Sequence, residues 1–171
     1  DVTALVLPAA GLAGSISPAL AAPALATLAS IDLSGNAFSG GYPASFNDRG
    51  ALPALESLRL ARNKLTQAPN IGDAGCVNLV QLFLGGNELS VFPAWRFAKL
   101  QALYMHDNAY NASVPSNFNL VAPPSATVLM MPQRAGASLC GGLPGVAGAT
   151  APKWARLLDG QTVPLTSADL P

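Results

Sequence analysis

The chain has 171 residues, half of them hydrophobic and only 11% charged, with nine basic residues balancing nine acidic ones. That length suits one domain, and charges so sparse and scattered exclude the basic stripe on which nucleic-acid binders depend. The 16 Gly and 15 Pro make the chain turn often, while two Cys and one His cannot complete a four-ligand structural zinc site.

Taken in chain order, one apolar pattern keeps returning. "VTALVLPAAGLAGSIS" (2–17) places Val2, Leu5, Leu7 and Leu12 at positions 1, 4, 6 and 11 of a unit, with Ala10 at position 9. Residues 2–31 carry no charge and match a membrane span in length. Pro8, Pro18, Pro23, Gly11 and Gly14 interrupt that stretch, so the expectation is a first turn and its connection, with no membrane span in this chain. The connection "SPALAAPALATL" suits a short helix or 3₁₀ turn. "LASIDLSGNAFSGGYP" (28–43) repeats the unit with Leu28, Ile31, Leu33, Asn36 and Phe38, and "SFNDRGALPAL" connects it onward. "LESLRLARNKLTQAP" (55–69) gives Leu55, Leu58, Leu60, Asn63 and Leu65. "LVQLFLGGNELSVFP" (79–93) gives Leu79, Leu82, Leu84, Asn87 and Leu89. "LQALYMHDNAYNASVP" (100–115) gives Leu100, Leu103, Met105, Asn108 and Tyr110. A degenerate sixth copy starts at Ser125, with Val128 and Met130 in the apolar slots. The starts at 2, 28, 55, 79, 100 and 125 define periods of 26, 27, 24, 21 and 25 residues.

The spacing has a physical cause. Positions 4 and 6 flank one outward residue on a short strand, so both point into the core. One turn cannot bury its apolar face alone, and stacked turns bury a continuous column. The Asn at position 9 sits where the chain leaves the strand, where its amide can satisfy backbone groups of its own and the neighbouring turn. The expected architecture is an α/β solenoid of five regular repeats and one degenerate repeat, with one parallel strand per repeat. Those strands centre on Leu5, Ile31, Leu58, Leu82, Leu103 and Val128. The solenoid occupies residues 1–134. Residues 135–171 form an irregular cap or tail, in which "PKWARLLDG" (152–160) reads as one or two helical turns presenting Trp154, Leu157 and Leu158 to the last repeat or to another protein.

Residues 2 to about 131 resemble leucine-rich repeats, which implies the horseshoe solenoid of that family. "LAGSIS", "FSGGYP" and "YNASVP" match in part the L-x-G-x-I-P continuation of the plant-type subclass, whereas "LTQAP" and "LSVFP" are one residue shorter. The opening resembles the first repeat of plant and algal receptor-like ectodomains, where it follows a cysteine-bearing cap. "SLCGGLPG" (138–145) resembles the stretch that closes them, without the family's partner cysteine nearby. The resemblance implies an extracellular or secretory-pathway location. The first turn presents an open edge, which repeat proteins normally cap, so a segment outside this sequence or a neighbouring subunit is expected to cover it.

Catalytic chemistry is sparse. The single His106 has no partner constellation, no phosphate-cradling glycine motif occurs, and Asp32 and Glu56 are expected to pair with Arg59. No enzyme activity, cofactor or metal is expected. Cys76 reads as a small buried apolar residue. Cys140 lies more than two repeats away, at an axial separation of about 10–14 Å, beyond the roughly 7 Å that a disulfide bridges. Asn111 begins "NAS", a candidate glycosylation site.

What remains is a surface. Position 5 points outward on the sheet, and its column reads Val6, Asp32, Arg59, Phe83, Tyr104 and Leu129. Positions 2, 3, 7 and 8 add Glu56, Gln81, His106, Arg62 and Asp107. Neighbouring aromatics beside an arginine are what protein interfaces enrich. The reading is a non-enzymatic recognition module, receptor-like or secreted, that binds a peptide, glycan or protein on its concave face, with a protein or peptide as the expected partner. The alternatives are a structural subunit of a larger intracellular or organellar assembly and, ranked below it, a targeting module of a multidomain enzyme or kinase.

Overall fold

In the computed structural model, residues 1–69, 71, 75–91, 95–110, 120–121 and 127–129 are described, Arg96 and the last two stretches by their backbone alone. Eleven short strands follow one another: β1 (Ala4–Val6), β2 (Ala13–Gly14), β3 (Ser30–Asp32), β4 (Ala37–Gly40), β5 (Ser57–Arg59), β6 (Lys64–Leu65), β7 (Gln81–Phe83), β8 (Trp95–Arg96), β9 (Ala102–Tyr104), β10 (Leu120–Val121) and β11 (Thr127–Leu129). The six odd-numbered strands, β1, β3, β5, β7, β9 and β11, form a six-stranded sheet in that order. Every pair in it is parallel, and Leu5, Ile31, Leu58, Leu82, Leu103 and Val128 stand opposite one another from strand to strand. These are the strand centres that the repeat spacing predicts.

The main sheet takes one strand from each repeat, and the exit segments add short ladders of their own. Where the chain leaves the main sheet, β2, β4 and β6 form a second, three-stranded parallel ladder, and β8 pairs with β10. Stacking identical turns brings their exit segments alongside each other as well, and extended backbones so placed pair. The connections take the 3₁₀ form of the two that their sequence allows. Among the described residues the connections hold 3₁₀ turns and no α-helix: Pro18–Ala21, Pro23–Leu25 and Ala44–Asn47. Two of these begin with proline, whose fixed φ and missing donor suit a first turn.

The core is the stack of apolar repeat positions. Leu28, Leu55, Leu79 and Leu100 enter from the approach to each strand, Ile31, Leu58, Leu82 and Leu103 from its centre, and Leu33, Leu60, Leu84 and Met105 from its end; all are buried. Phe46, Ile71 and Cys76 close the core on the connection side. Cys76 carries a free thiol, and burial pushes its pKa up to about 12, so it stays protonated and inert.

An asparagine ladder ties the exits together. Asn63, Asn87 and Asn108 are buried, and Asn36 is half-buried. Asn87 is representative: its Oδ1 accepts from the Leu65 amide at 3.1 Å, and its Nδ2 donates to the carbonyls of Leu60 at 2.9 Å and Leu84 at 3.0 Å. Asn63 makes the same set one repeat earlier, with Phe38, Leu33 and Leu60. Each side chain thus satisfies its own turn and reaches back to the preceding one. The residue just before each of them, or before Ala10 in the first repeat, turns left-handed: Ala9 (φ 51°), Gly35 (69°), Arg62 (57°), Gly86 (70°) and Asp107 (51°). This is the bend that carries the chain out of the sheet.

The first repeat is the exception to burial. Val2, Val6 and Leu7 are 53%, 58% and 41% exposed, although Leu7 occupies a slot that is buried in later repeats. No helix among the described residues is long and apolar enough to cross a membrane.

Candidate functional site

The outward column follows from the strand register. Val6 pairs with Asp32, Asp32 with Arg59, Arg59 with Phe83, Phe83 with Tyr104, and Tyr104 with Leu129. Because each strand is only three residues long and its centre faces the core, the last residue of each must face away from it.

Within this column the side chains stack on one another. The Arg59 guanidinium carbon lies 4.8 Å from the centre of the Phe83 ring. The Phe83 and Tyr104 rings are 4.9 Å apart and tilted by 49°, and the His106 ring stands edge-on to Tyr104 at 6.4 Å. Both geometries are favourable for a cation over a ring and for offset rings.

Two expectations need correction. The sequence gives Phe83 no core role, which suggests an exposed ring, yet Phe83 is only 8% exposed. It lies outside the core cluster and is covered by its column neighbours, Arg59 on one side and Tyr104 on the other. Nor do Asp32 and Glu56 pair with Arg59. The Arg59 guanidinium instead donates to Gln81 Oε1 at 3.4 Å, and Gln81 Oε1 also accepts from the Ser57 hydroxyl at 3.2 Å. Asp32 Oδ1 accepts from the Ser34 amide at 3.0 Å. Glu56 is exposed at the approach to β5, and its backbone carbonyl accepts from Val80 and Gln81.

Beside the stack lies a hollow of about 210 Å³, lined by Asp32, Ser34, Arg59, Ala61, Arg62 and Phe83. Arg62 reaches it because its left-handed backbone turns the chain there, and its stem packs over Gly86, where an added Cβ would lie 3.3 Å from Arg62 Cγ. Ser34 and Ala61 escaped the sequence reading. Their signal was the small residue recurring at position 7, which leaves open space beside the column.

His106 occupies the same position 7 in the fifth repeat, and Gly85 makes room for it. A Cβ on Gly85 would lie 2.5 Å from the His106 Cε1, so the imidazole rests directly on the Gly85 backbone. His106 Nδ1 is buried without a hydrogen-bond partner. Burial lowers the His106 pKa below its ordinary value; Asp107 pulls the other way, and the smaller effect of the Arg62 charge adds to the lowering. The sign of the consequence is fixed. The unfolded chain takes up the proton more readily than the fold, so stability is full above about pH 6.5 and is lost as pH falls through the depressed folded value. Thermal unfolding between pH 7.5 and 5 is therefore expected to show a larger acid-induced loss for the native chain than for His106→Gln. Equal losses in the two proteins would contradict this placement of the ring.

Asn111, Cys140, Trp154 and the whole 135–171 segment lie outside the described residues. Among the described residues, no group of His, Cys, Asp and Glu could hold a metal ion.

No family model matches the chain, and no curated protein matches it. Solved structures do. The chain is similar to the BIR2 ectodomain from Arabidopsis thaliana, with a TM-score of 0.53 and 26% identity over 80% of this chain and 72% of that one. It is also similar in fold to the PEPR1–AtPEP1 structure, with a TM-score of 0.51 and 24% identity over 68% of this chain but 17% of that one. The fold is a leucine-rich repeat solenoid, and the chain resembles a plant ectodomain.

Proposed function

We propose that this chain is a non-enzymatic recognition module, receptor-like and extracellular, that binds a protein or peptide segment on the outward, concave face of its six-stranded sheet. The observation that supports it most is the Arg59–Phe83–Tyr104 stack. These three side chains form an ordered run outside the core, and folding alone does not require them there. Interstrand steps of about 4.8 Å place them along a line of roughly 10 Å, which suits an extended segment. Rings held by their neighbours offer apolar area at low entropic cost, and an arginine lying on a ring presents a preorganised fork. The likeness to an ectodomain, and to a structure named for PEPR1 together with AtPEP1, points the same way.

Tyr104→Ala is expected to weaken partner binding by about 2 kcal/mol, the scale of an interface hot spot, while leaving the melting temperature nearly unchanged. Tyr104 is the cleaner probe because Phe83 is buried and supports Arg59. The second reading, a structural subunit, draws on the exposed Val2, Val6 and Leu7 at the first repeat. Photo-crosslinking groups at Gln81 and at Leu7 separate the two. Adducts from Gln81 alone support recognition. Adducts from Leu7, with Tyr104→Ala without effect, defeat it in favour of assembly.

A further inference from the structure

Resting on the recognition reading, we propose that the column reads the charge order of its segment: a basic side chain opposite Asp32, an acidic side chain in the hollow beside Arg59 and Arg62, and an uncharged apolar side chain on the Phe83–Tyr104 rings.

The middle subsite is the best defined. Arg59 and Arg62 are both exposed and both line the hollow, and among the described residues neither makes an ion pair. Among the described residues, the one hydrogen bond of the Arg59 guanidinium is the long 3.4 Å contact to Gln81, which a carboxylate would outcompete. Phe83 under the guanidinium at 4.8 Å holds one edge of the hollow fixed. A volume of about 210 Å³ lies below the roughly 300 Å³ at which pockets begin to enclose a whole small molecule. It fits one side chain carried by a longer segment.

The flanking subsites follow from charge. Asp32 stands opposite Arg59, one strand before it, and also lines the hollow. Its Oδ1 is engaged by Ser34, and the carboxylate still repels a second acid and attracts a donor. On the far side, the charge of Arg59 over Phe83 disfavours a cation on those rings, leaving them to an apolar group. The spacing agrees. Asp32 to Tyr104 spans three interstrand steps, about 14 Å, and residues i to i+4 of an extended chain, which share one face, span about 13 Å. The segment is therefore basic-x-acidic-x-apolar, or the same order reversed, with the acid always central.

The test is selection of random heptapeptides displayed on phage against the intact chain, with Tyr104→Ala, Arg62→Glu and Asp32→Lys proteins as counter-targets. Circular dichroism checks that each variant remains folded. The proposal expects enriched peptides to carry a central acid flanked two residues away by a basic and an apolar residue. A synthetic peptide of that pattern, with both termini blocked, should bind Arg62→Glu about ten- to a hundredfold more weakly. Asp32→Lys should shift the selected basic residue toward acid. Blocking the peptide's C-terminus distinguishes an acidic side chain from a terminal carboxylate: loss of binding on blocking overturns the side-chain assignment. If the selected peptides depend on Tyr104 but show no such order, the charge register is wrong and recognition by this face stands. If no selected peptide depends on Tyr104, the recognition reading itself fails.

Discussion

Replacing Trp95 with alanine is expected to cost about 4 kcal/mol of stability, the range for removing a large aromatic from a core. Trp95 is fully buried, its ring lies 5.7 Å from that of Phe97, and its Nε1 donates to the Pro69 carbonyl at 2.7 Å. That bond spans 26 residues, one repeat, so Trp95 links the exit of the third turn to the fourth. For a chain of this length the melting temperature should fall by roughly 8–16 °C. Trp95→Phe separates the two contributions. It retains most of the apolar volume and removes the donor, leaving Pro69 unpaired at a cost of about 1–3 kcal/mol. Thermal unfolding followed by circular dichroism decides the matter: if Trp95→Ala melts within a degree or two of the parent, the ring is not a structural link between turns.

Asn87→Ala is expected to cost about 1–3 kcal/mol, the range for stranding a buried backbone group. The side chain makes three hydrogen bonds to Leu65, Leu60 and Leu84. Their loss is not uniform. The Leu60 carbonyl still accepts from Asn63 and the Leu84 carbonyl from Asn108, whereas the Leu65 amide loses its acceptor inside the protein. Asn87→Asp should be no better than alanine. It restores the acceptor for Leu65 but aims a buried carboxylate at the Leu60 and Leu84 carbonyls, and that repulsion offsets the regained bond. Asn36→Ala, at a half-buried rung, should lose about 1 kcal/mol, because water replaces part of what the amide supplies. A graded series, with Asn87 well below Asn36, marks the ladder as a buried network. Equal melting of Asn87→Ala and the parent would refute it.

Much of this architecture was legible because leucine-rich spacing couples directly to strand geometry. Leu55, Leu58, Leu60 and Leu65 can all be inward only on one short strand with a bend after it, and repetition at 21 to 27 residues fixed the stacking order and the register of the outward column. The Asn at position 9 announced its own burial, because nothing else in the repeat can serve backbone groups at that bend. The second ladder of β2, β4 and β6 was not legible: no side-chain pattern encodes it, and it arises from backbones that stacking brings together. Likewise, the link from Trp95 to Pro69 depends on two turns meeting.

The outward face divides along the same line. Its members follow from the sequence, since alternation along a strand assigns Asp32, Arg59, Phe83 and Tyr104 to one side without reference to anything else. Their environment was decided only by the tertiary structure. Arg59 turned to Phe83 and Gln81 in place of the nearby carboxylates, Phe83 was buried from above by its neighbours, and Arg62 swung into the hollow on a left-handed bend. Side-chain direction is a local property of the backbone. Which neighbour a long or aromatic side chain finally rests on depends on the distance between adjacent turns, and that distance exists only once the turns have stacked.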